Sequence, residues 1–248
     1  MEMGTYYSEL NETALKGFKQ LNKTEQIDEK IFKIPCGRLD VHVVRGHALE
    51  KATTARIRLN TKNPVTGEDT RFDIFQIKIY PVNPKVPILL LNVENRAAQE
   101  DRFYGFLDVV PVATSKEDLD FLHSEIRSVA SKYGANYEVL RKKVENIYKM
   151  DHWDNALNAG IGMRLEISGE QVDFVQEAAL TWLNTYLKIA AEKAETLYSK
   201  EDANLMYAVR ARIMEFYMLK DMSFKVIQDL GIPADVMGLV HFAPVIKY

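Results

Sequence analysis

The sequence predicts an α+β fold built around a mostly antiparallel β-sheet. Strand-like stretches are concentrated in residues 38–111, and helix-like patterns come before and after them. The links between these stretches are short, which is typical of sheets whose neighbouring strands run in opposite directions. No linker, internal repeat or low-complexity segment divides the 248 residues, so we expect residues 1–248 to form one domain.

The first half of the chain is predicted to be a helix followed by strands. Residues 1–33 form a helical lead-in, because apolar residues recur there at helical spacing. The stretches 38–44 and 56–60 alternate apolar and polar residues, as strands with one buried face do. Three further strands are rich in β-branched and aromatic residues: DIFQIKIYP (73–81), PILLLNVEN (87–95) and FYGFLDVVP (103–111).

Helices dominate the second half. Ser115, Ser168 and Ser199 are each followed three residues later by an acidic residue or glutamine, a pattern that predicts a capped helix start. We also expect a helix at 137–149 and a strand at 159–167. The last helix is predicted to end at Gly231, with Pro233 beyond it.

Composition excludes several protein classes. A net charge of −3 argues against a nucleic-acid-binding protein. The single cysteine, Cys36, excludes an internal disulfide framework and a cysteine-rich metal site. No apolar run approaches the roughly 20 residues of a membrane span, and the acidic N-terminus does not have the form of a signal peptide. We therefore expect a soluble protein of a reducing compartment, cytoplasmic or in an organelle stroma after processing.

Motifs for common cofactors are absent from the sequence. It contains no P-loop, GxSxG or HExxH motif, and Gly160-Ile-Gly162 lacks the third glycine of a dinucleotide fingerprint. The five histidines show no ligand spacing, so we expect no metal site, although one built from scattered histidines stays open.

Lone polar residues interrupt the three apolar strands. Gln76, Asn92 and Asp108 each lie inside a stretch that otherwise favours a dry environment. Burying an amide or carboxylate costs a few kcal/mol unless a partner hydrogen-bonds it. Either the fold satisfies these groups internally, or a polar ligand lies against the sheet.

The order of these segments resembles the ferredoxin-dependent bilin reductases. The resemblance rests on the aromatic–proline end of strand 73–81, the PILLLN strand, the Asp-x-x-Pro strand at 106–111 and Trp153. It continues through Gly-Met-Arg at 162–164, the helix opening at 170–176 and the closing segment 220–242. The match is colinear over nearly the whole chain, although no single motif decides it.

The resemblance implies a three-layer α/β/α sandwich, with a central antiparallel sheet flanked by helices. A linear tetrapyrrole (bilin) would lie between the sheet and the C-terminal helices. The family uses no tightly bound organic cofactor. Reduced ferredoxin delivers single electrons, and the protein supplies protons to the bilin.

Carried over to this chain, the family's catalytic positions are altered. Histidine and glutamate of one strand correspond to Arg58 and Asn60, while the central histidine and aspartate become Gln76 and Asn92. An amide forms hydrogen bonds but does not titrate near neutral pH. We therefore expect Gln76 and Asn92 at the catalytic centre, with Arg58 and Asn60 contacting substrate.

The acidic residue before the last helix is retained as Asp221, the leading candidate for a general acid. Its alternative role is to cap that helix. Asp108 is a second retained acid, which contacts substrate or shapes the turn before Pro111.

Two further residues are candidate substrate contacts. Arg164 would anchor a propionate group or pair with a surface acid such as Glu166. Phe216 would contact the pigment or belong to the core.

Three functions remain open at this point. The first is ferredoxin-dependent reduction of a linear tetrapyrrole such as biliverdin, with Lys220, Lys225 and Arg212 as candidates for docking the acidic ferredoxin. The second is a tetrapyrrole carrier without activity, and the third is a likeness of fold alone with an unrelated ligand.

Overall fold

The computed structural model describes residues 3–62, 67–97, 101–221, 225 and 228–244. Its centre is a seven-stranded sheet in which each strand pairs antiparallel with the next strand along the chain. The predicted α+β class with an antiparallel sheet is confirmed. The strands are β1 (Asp28–Ile34), β2 (Gly37–Val44), β3 (Leu49–Lys62), β4 (Asp69–Pro81), β5 (Ile88–Ala97), β6 (Asp101–Val110) and β7 (Met163–Ser168).

Helices cover both faces of the sheet, which confirms the three-layer arrangement. The helices are α1 (Met3–Asn22), α2 (Lys116–Lys132), α3 (Tyr137–Lys142), α4 (Val172–Lys193), α5 (Lys200–Leu219) and α6 (Asp235–Val240). We call one side the α4 face, because α1, α2 and α4 pack there, and the other the α5 face, where α5, α6 and residues 148–157 pack.

The two faces follow from the period of two along each strand. On β4, Ile77 belongs to the core of the α4 face, while Tyr80 belongs to the core of the α5 face. Leu91 and Leu90 divide in the same way on β5. Gln76 is one residue from Ile77, so it points to the α5 face.

Two predicted helices are shorter than expected. The lead-in helix ends at Asn22, and residues 28–34 form the edge strand β1, whose four charged residues are suited to an exposed sheet edge. The helix predicted at 137–149 ends at Lys142. Beyond it, the Asn158 side chain bonds the carbonyl of Val144 and the N–H of Tyr148 in place of helical partners.

The helix predicted to end at Gly231 ends there, although it is not the last helix of the chain. Residues 225, 228 and 229 are helical, and Gly231 follows with φ +66°, the left-handed conformation that ends many helices. The rest of that helix lies outside the described residues. Helix α6, which the sequence did not predict, begins beyond Pro233 and has only six residues.

The serine caps were predicted correctly in two of three cases. Ser199 forms a full capping box with Asp202, and Ser115 accepts a hydrogen bond from the Asp118 N–H. Ser168 caps a short 3₁₀ turn, Gly169–Gln171, rather than α4 itself. Within the described ranges, no helix is both long and apolar enough to cross a membrane.

Candidate functional site

A cavity of about 270 Å³ lies on the α5 face, between the sheet and the C-terminal segments. Gln76, Asn92 and Phe106 form its floor, one residue each from β4, β5 and β6. Tyr148, Tyr217 and Asp221 line its walls, together with residues 232–241. The cavity therefore lies where the resemblance placed a ligand, between the sheet and the last helices.

Gln76 and Asn92 form a directly opposed pair on β4 and β5. Their side chains point into the cavity, because opposed residues of antiparallel strands share a face. The side-chain oxygens Gln76 Oε1 and Asn92 Oδ1 are both buried and have no hydrogen-bond partner among the described residues. Buried polar atoms are nearly always paired, so this pair points to a ligand.

Gly105 allows β6 to approach the cavity floor. It lies opposite Val93 with φ +134°, and a Cβ atom there would be 2.0 Å from the Asn92 carbonyl oxygen. Only glycine avoids this collision, so the position of Phe106 beside Asn92 depends on it.

Hydrogen bonds from the sheet anchor residues 238–242 over the cavity. The buried Lys51 ammonium donates to the carbonyls of Gly238 and Phe242. Thr53 donates to the Leu239 carbonyl at 3.0 Å, and the Tyr80 hydroxyl donates to the His241 carbonyl at 2.5 Å. These contacts place the His241 ring at the cavity, where its Nδ1 is buried without a partner among the described residues.

A buried lysine lies beside the cavity floor. Lys78 is two residues from Gln76 on β4 and donates a hydrogen bond to the Tyr217 hydroxyl. Its ammonium also lies 3.8 Å from the centre of the Tyr217 ring. The Tyr217 and Tyr148 hydroxyls contact each other, which connects the sheet, α5 and the 148–157 segment.

Burial disfavours charge on most titratable groups around the cavity. It lowers the pKa of Lys78 well below its usual value; Asp221 partly opposes the shift and Lys51 adds to it. Burial, with the nearby Lys78 and Lys51, also lowers the pKa of His241 well below its usual value. Burial is likewise the main reason that the pKa values of Tyr148 and Tyr217 are raised well above theirs.

The described residues contain no group of three or more histidine, cysteine, aspartate or glutamate side chains that could bind a metal ion. The ionisable and amide side chains at the two connected cavities are those of two amides, an aspartate, a glutamate (Glu94), a lysine, a histidine and two tyrosines.

A sequence model of the family described as coproporphyrinogen III oxidase matches residues 20–229, most of the chain. The chain belongs to this family. Two similar curated proteins are oxygen-dependent coproporphyrinogen-III oxidases: one from Francisella philomiragia, 24% identical over 72% of this chain, and one from Dictyostelium discoideum, 21% identical over 85%. The matches span 60% and 64% of those relatives' own lengths.

A solved structure extends the comparison to the fold. Phytochromobilin synthase from tomato, in complex with biliverdin, matches 94% of this coproporphyrinogen III oxidase family member and 80% of its own chain. The TM-score is 0.64 and the sequence identity is 12%. The predicted resemblance to bilin reductases is therefore supported at the level of the fold, whereas the sequence family is that of the coproporphyrinogen III oxidases.

Three of the predicted site residues meet at the cavity of this family member: Gln76, Asn92 and Asp221. Their sequence separation is large, and the pairing of β4 with β5 and the end of α5 bring them together. The alternative role of Asp221 as a helix cap depends on residues 222–224, which lie outside the described residues.

Arg58 and Asn60 do not lie at this cavity, which corrects the expectation for both. They are three and five residues from Ala55, which pairs with Gln76, so they point to the opposite face. Arg58 instead bonds the Asp40 carboxylate at 2.5 Å, and Asn60 is exposed.

Arg164 and Phe216 also lie outside the cavity lining. Arg164 pairs with Phe106 on the edge strand β7 and is exposed, while Glu166 pairs with Lys143 at 3.1 Å rather than with Arg164. Phe216 belongs to the core and stacks on Tyr148, with 4.7 Å between ring centres. It therefore supports a cavity wall from behind.

Asp108 anchors a loop. Its Oδ2 accepts hydrogen bonds from the Asn158 amide at 2.7 Å and from the Gly160 N–H at 2.8 Å. Burial raises its pKa to about 6, although the hydrogen bond from Asn158 opposes the shift. Of the two predicted roles, the structural one matches these contacts.

Sequence reasoning missed Lys78, Glu94, Tyr148, Tyr217 and His241. The strand pattern contained a signal for Lys78 and Glu94, because they follow Gln76 and Asn92 by two residues and therefore share their face. For the other three the sequence contained no comparable signal, since each reaches the cavity through long-range packing.

Proposed function

We propose that this chain is an oxidoreductase that binds a tetrapyrrole against Gln76 and Asn92 on the α5 face. The supporting observation is the pair of adjacent, buried amide oxygens at the cavity floor, which accept no hydrogen bond from any residue that the structure describes. Neighbouring pyrrole rings present N–H donors, which would satisfy both oxygens at once. The apolar part of the lining, with Leu39, Ile57 and Phe106, suits flat rings.

The size of the cavity sets a condition on binding. Pockets for drug-sized ligands range from about 300 to 1,000 Å³, and this cavity measures about 270 Å³. A whole tetrapyrrole therefore requires residues 235–242 to move outward, or only part of the ligand enters.

The first specific candidate is reduction of a linear tetrapyrrole by single electrons from ferredoxin. Asp221 at the cavity would supply protons, and no tightly bound organic cofactor would take part. Lys220, Lys225 and Arg212 are candidate contacts for an acidic ferredoxin. Lys220 bonds the Asp151 carboxylate at 3.0 Å, and Arg212 lies over the Trp153 ring, so both are near the 148–157 segment.

The second candidate is oxygen-dependent oxidation of a porphyrinogen, a cyclic tetrapyrrole. Family membership favours it. The chain spans about three fifths of the length of its curated relatives, so their activity does not carry over as a whole.

Absorbance titrations test the common part of the proposal. Purified protein is mixed separately with biliverdin and with coproporphyrin, and binding is compared for the wild type, Asn92→Leu and Asn60→Leu. The two variants make the same change on opposite faces of the sheet. We expect weaker binding only in Asn92→Leu.

Turnover then separates the candidates. A blue-shifted product from biliverdin with reduced ferredoxin, without oxygen, supports the reductase. Consumption of coproporphyrinogen that requires oxygen supports the oxidase. Bound but unchanged pigment in both assays indicates a carrier, and failure to bind any tetrapyrrole contradicts the proposal.

A further inference from the structure

Lys78 lies at a buried position, where a charged side chain destabilises the folded protein. Its side chain is only 6% exposed and lies in the sheet between apolar layers. Among the described residues it forms no ion pair; its polar contact is the Tyr217 hydroxyl, and its ammonium also lies 5.9 Å from the centre of the Tyr148 ring. Nothing in this packing requires a charged group, because an apolar side chain of similar length would fill the same space.

A second, smaller cavity connects Lys78 to the candidate site. It measures about 20 Å³, which is enough for one water molecule. Lys78, Gln76, Asn92, Tyr217 and His241 line it. It thus lies between the lysine and the amide oxygens that face the main cavity, and its polar lining offers a water the partners that it needs.

We propose that Lys78 exchanges a proton with the ligand bound over Gln76 and Asn92, through a water molecule in the small cavity, and that Tyr217 positions it. This inference rests on the proposed function. In the step, an N–H bond of the Lys78 ammonium breaks and its electron pair stays on nitrogen. The proton passes to the water, which releases another of its protons to the ligand. Lys78 transfers no redox electrons.

The chemistry of the site is consistent with this role. A buried lysine exchanges its proton nearer to neutral pH than an exposed one, and the lowered pKa of Lys78 agrees with that. Gln76 and Asn92 do not titrate, so Lys78 would supply acid–base chemistry that the amides lack. The other ionisable side chains that line the main cavity are those of Glu94, Tyr148, Tyr217, Asp221 and His241.

Three variants test the inference: Lys78→Met, Lys78→Arg and Tyr217→Phe. The matched control is Tyr186→Phe, a buried tyrosine on the α4 face whose hydroxyl donates to the Pro87 carbonyl. The readouts are urea unfolding, pigment affinity, turnover and the absorption midpoint. The absorption midpoint is the pH at which half of the pH-dependent absorbance change of the bound pigment has occurred. We expect Lys78→Met to remain folded, to bind pigment within a few fold of the wild type and to lose turnover by about 100-fold. Its absorption midpoint moves by at least about one pH unit.

Lys78→Arg separates charge from proton exchange, because arginine stays protonated at all accessible pH values. We expect it to bind pigment without restoring turnover. Tyr217→Phe removes one hydroxyl and should shift the absorption midpoint with a smaller loss of turnover, whereas Tyr186→Phe should leave the midpoint unchanged.

Wild-type turnover and midpoint in Lys78→Met would overturn the inference while leaving the proposed function intact. Unfolding of Lys78→Met, combined with a wild-type midpoint in Tyr217→Phe, would assign Lys78 a structural role. If the wild type binds no tetrapyrrole, the proposed function fails first, and the proton exchange fails with it.

Discussion

Gln76 and Asn92 face each other across β4 and β5, yet their buried side-chain oxygens receive no hydrogen bond from any described residue. Each such atom costs roughly 1–3 kcal/mol of stability. In native proteins, buried polar atoms without a hydrogen-bond partner often lie at sites where a ligand provides the missing partner. Ligand binding therefore explains the two amides better than a contribution to the stability of the fold does.

Replacing Asn92 with leucine should separate stability from binding. The change removes a buried, unpartnered amide, so we expect the free energy of unfolding to stay the same or to rise by about 1 kcal/mol. Pigment affinity should fall about tenfold or more, because a ligand N–H loses its acceptor. Urea unfolding and absorbance titration measure the two effects, and Asn60→Leu serves as the control. A clear loss of stability in Asn92→Leu would instead mean that the amide supports the fold.

Asp221→Asn should abolish turnover while pigment binding stays within a few fold. The amide has nearly the size of the carboxyl group and can still form hydrogen bonds, but it does not release a proton at neutral pH, and losing a general acid typically costs about 100-fold or more in rate. Asp235→Asn, at the exposed start of α6, is the matched control. Turnover at the wild-type rate in Asp221→Asn would assign Asp221 to helix capping.

Asp108 should make stability depend on pH in the acidic range. Burial raises its pKa to about 6 in the folded protein, against about 3.9 in the unfolded chain. Between these values the folded state binds more protons, so this residue's contribution to stability falls as pH rises from about 4 to 6.

Asp108→Asn lacks this titration. Relative to the wild type, its free energy of unfolding should therefore increase across that window by up to about 1.4 kcal/mol per pH unit, on top of any constant offset. Urea unfolding of both proteins at pH 4.5, 5.5 and 6.5 measures the difference, and a flat difference would contradict the raised pKa.

Local pattern was sufficient to predict the sheet and part of the site. The apolar stretches 73–81 and 87–95 predicted two strands, each with one lone polar residue, Gln76 and Asn92. The structure pairs these two residues directly, because consecutive strands with short links pair in order. Arg58 differs from this pair. The resemblance supplied only its position in the strand, and that position is three residues from Ala55, the partner of Gln76, which puts Arg58 on the opposite face of the sheet.

The remaining site residues depend on contacts that sequence patterns do not encode. Tyr217 reaches Lys78 across 139 residues, and Tyr80 reaches the His241 carbonyl across 161. Which apolar face of α5 meets the sheet, and where residues 238–242 lie, is decided by packing of the whole core. The edge strand β1 was not predicted, because four of its seven residues are charged and only a short apolar pattern remains to indicate a strand.

Lys51 should stabilise the segment over the cavity most strongly at alkaline pH. Burial, with a contribution from Arg45, lowers its pKa to about 7 in the folded protein, against about 10.4 when unfolded. Between these values the unfolded chain binds more protons, so this residue's contribution to stability rises with pH across the window and is smallest below pH 7.

Lys51→Met removes that titration along with the hydrogen bonds to Gly238 and Phe242. The wild type should therefore gain stability relative to the variant from pH 7 to 10, by up to about 1.4 kcal/mol per pH unit. Amides of residues 235–242 should exchange hydrogen faster in the variant, because their anchor to β3 is weakened. Thr53→Val, which removes one neutral hydrogen bond to the same segment, should speed exchange without the pH trend. An equal stability difference at pH 7 and pH 9.5 would show that Lys51 does not titrate in this range.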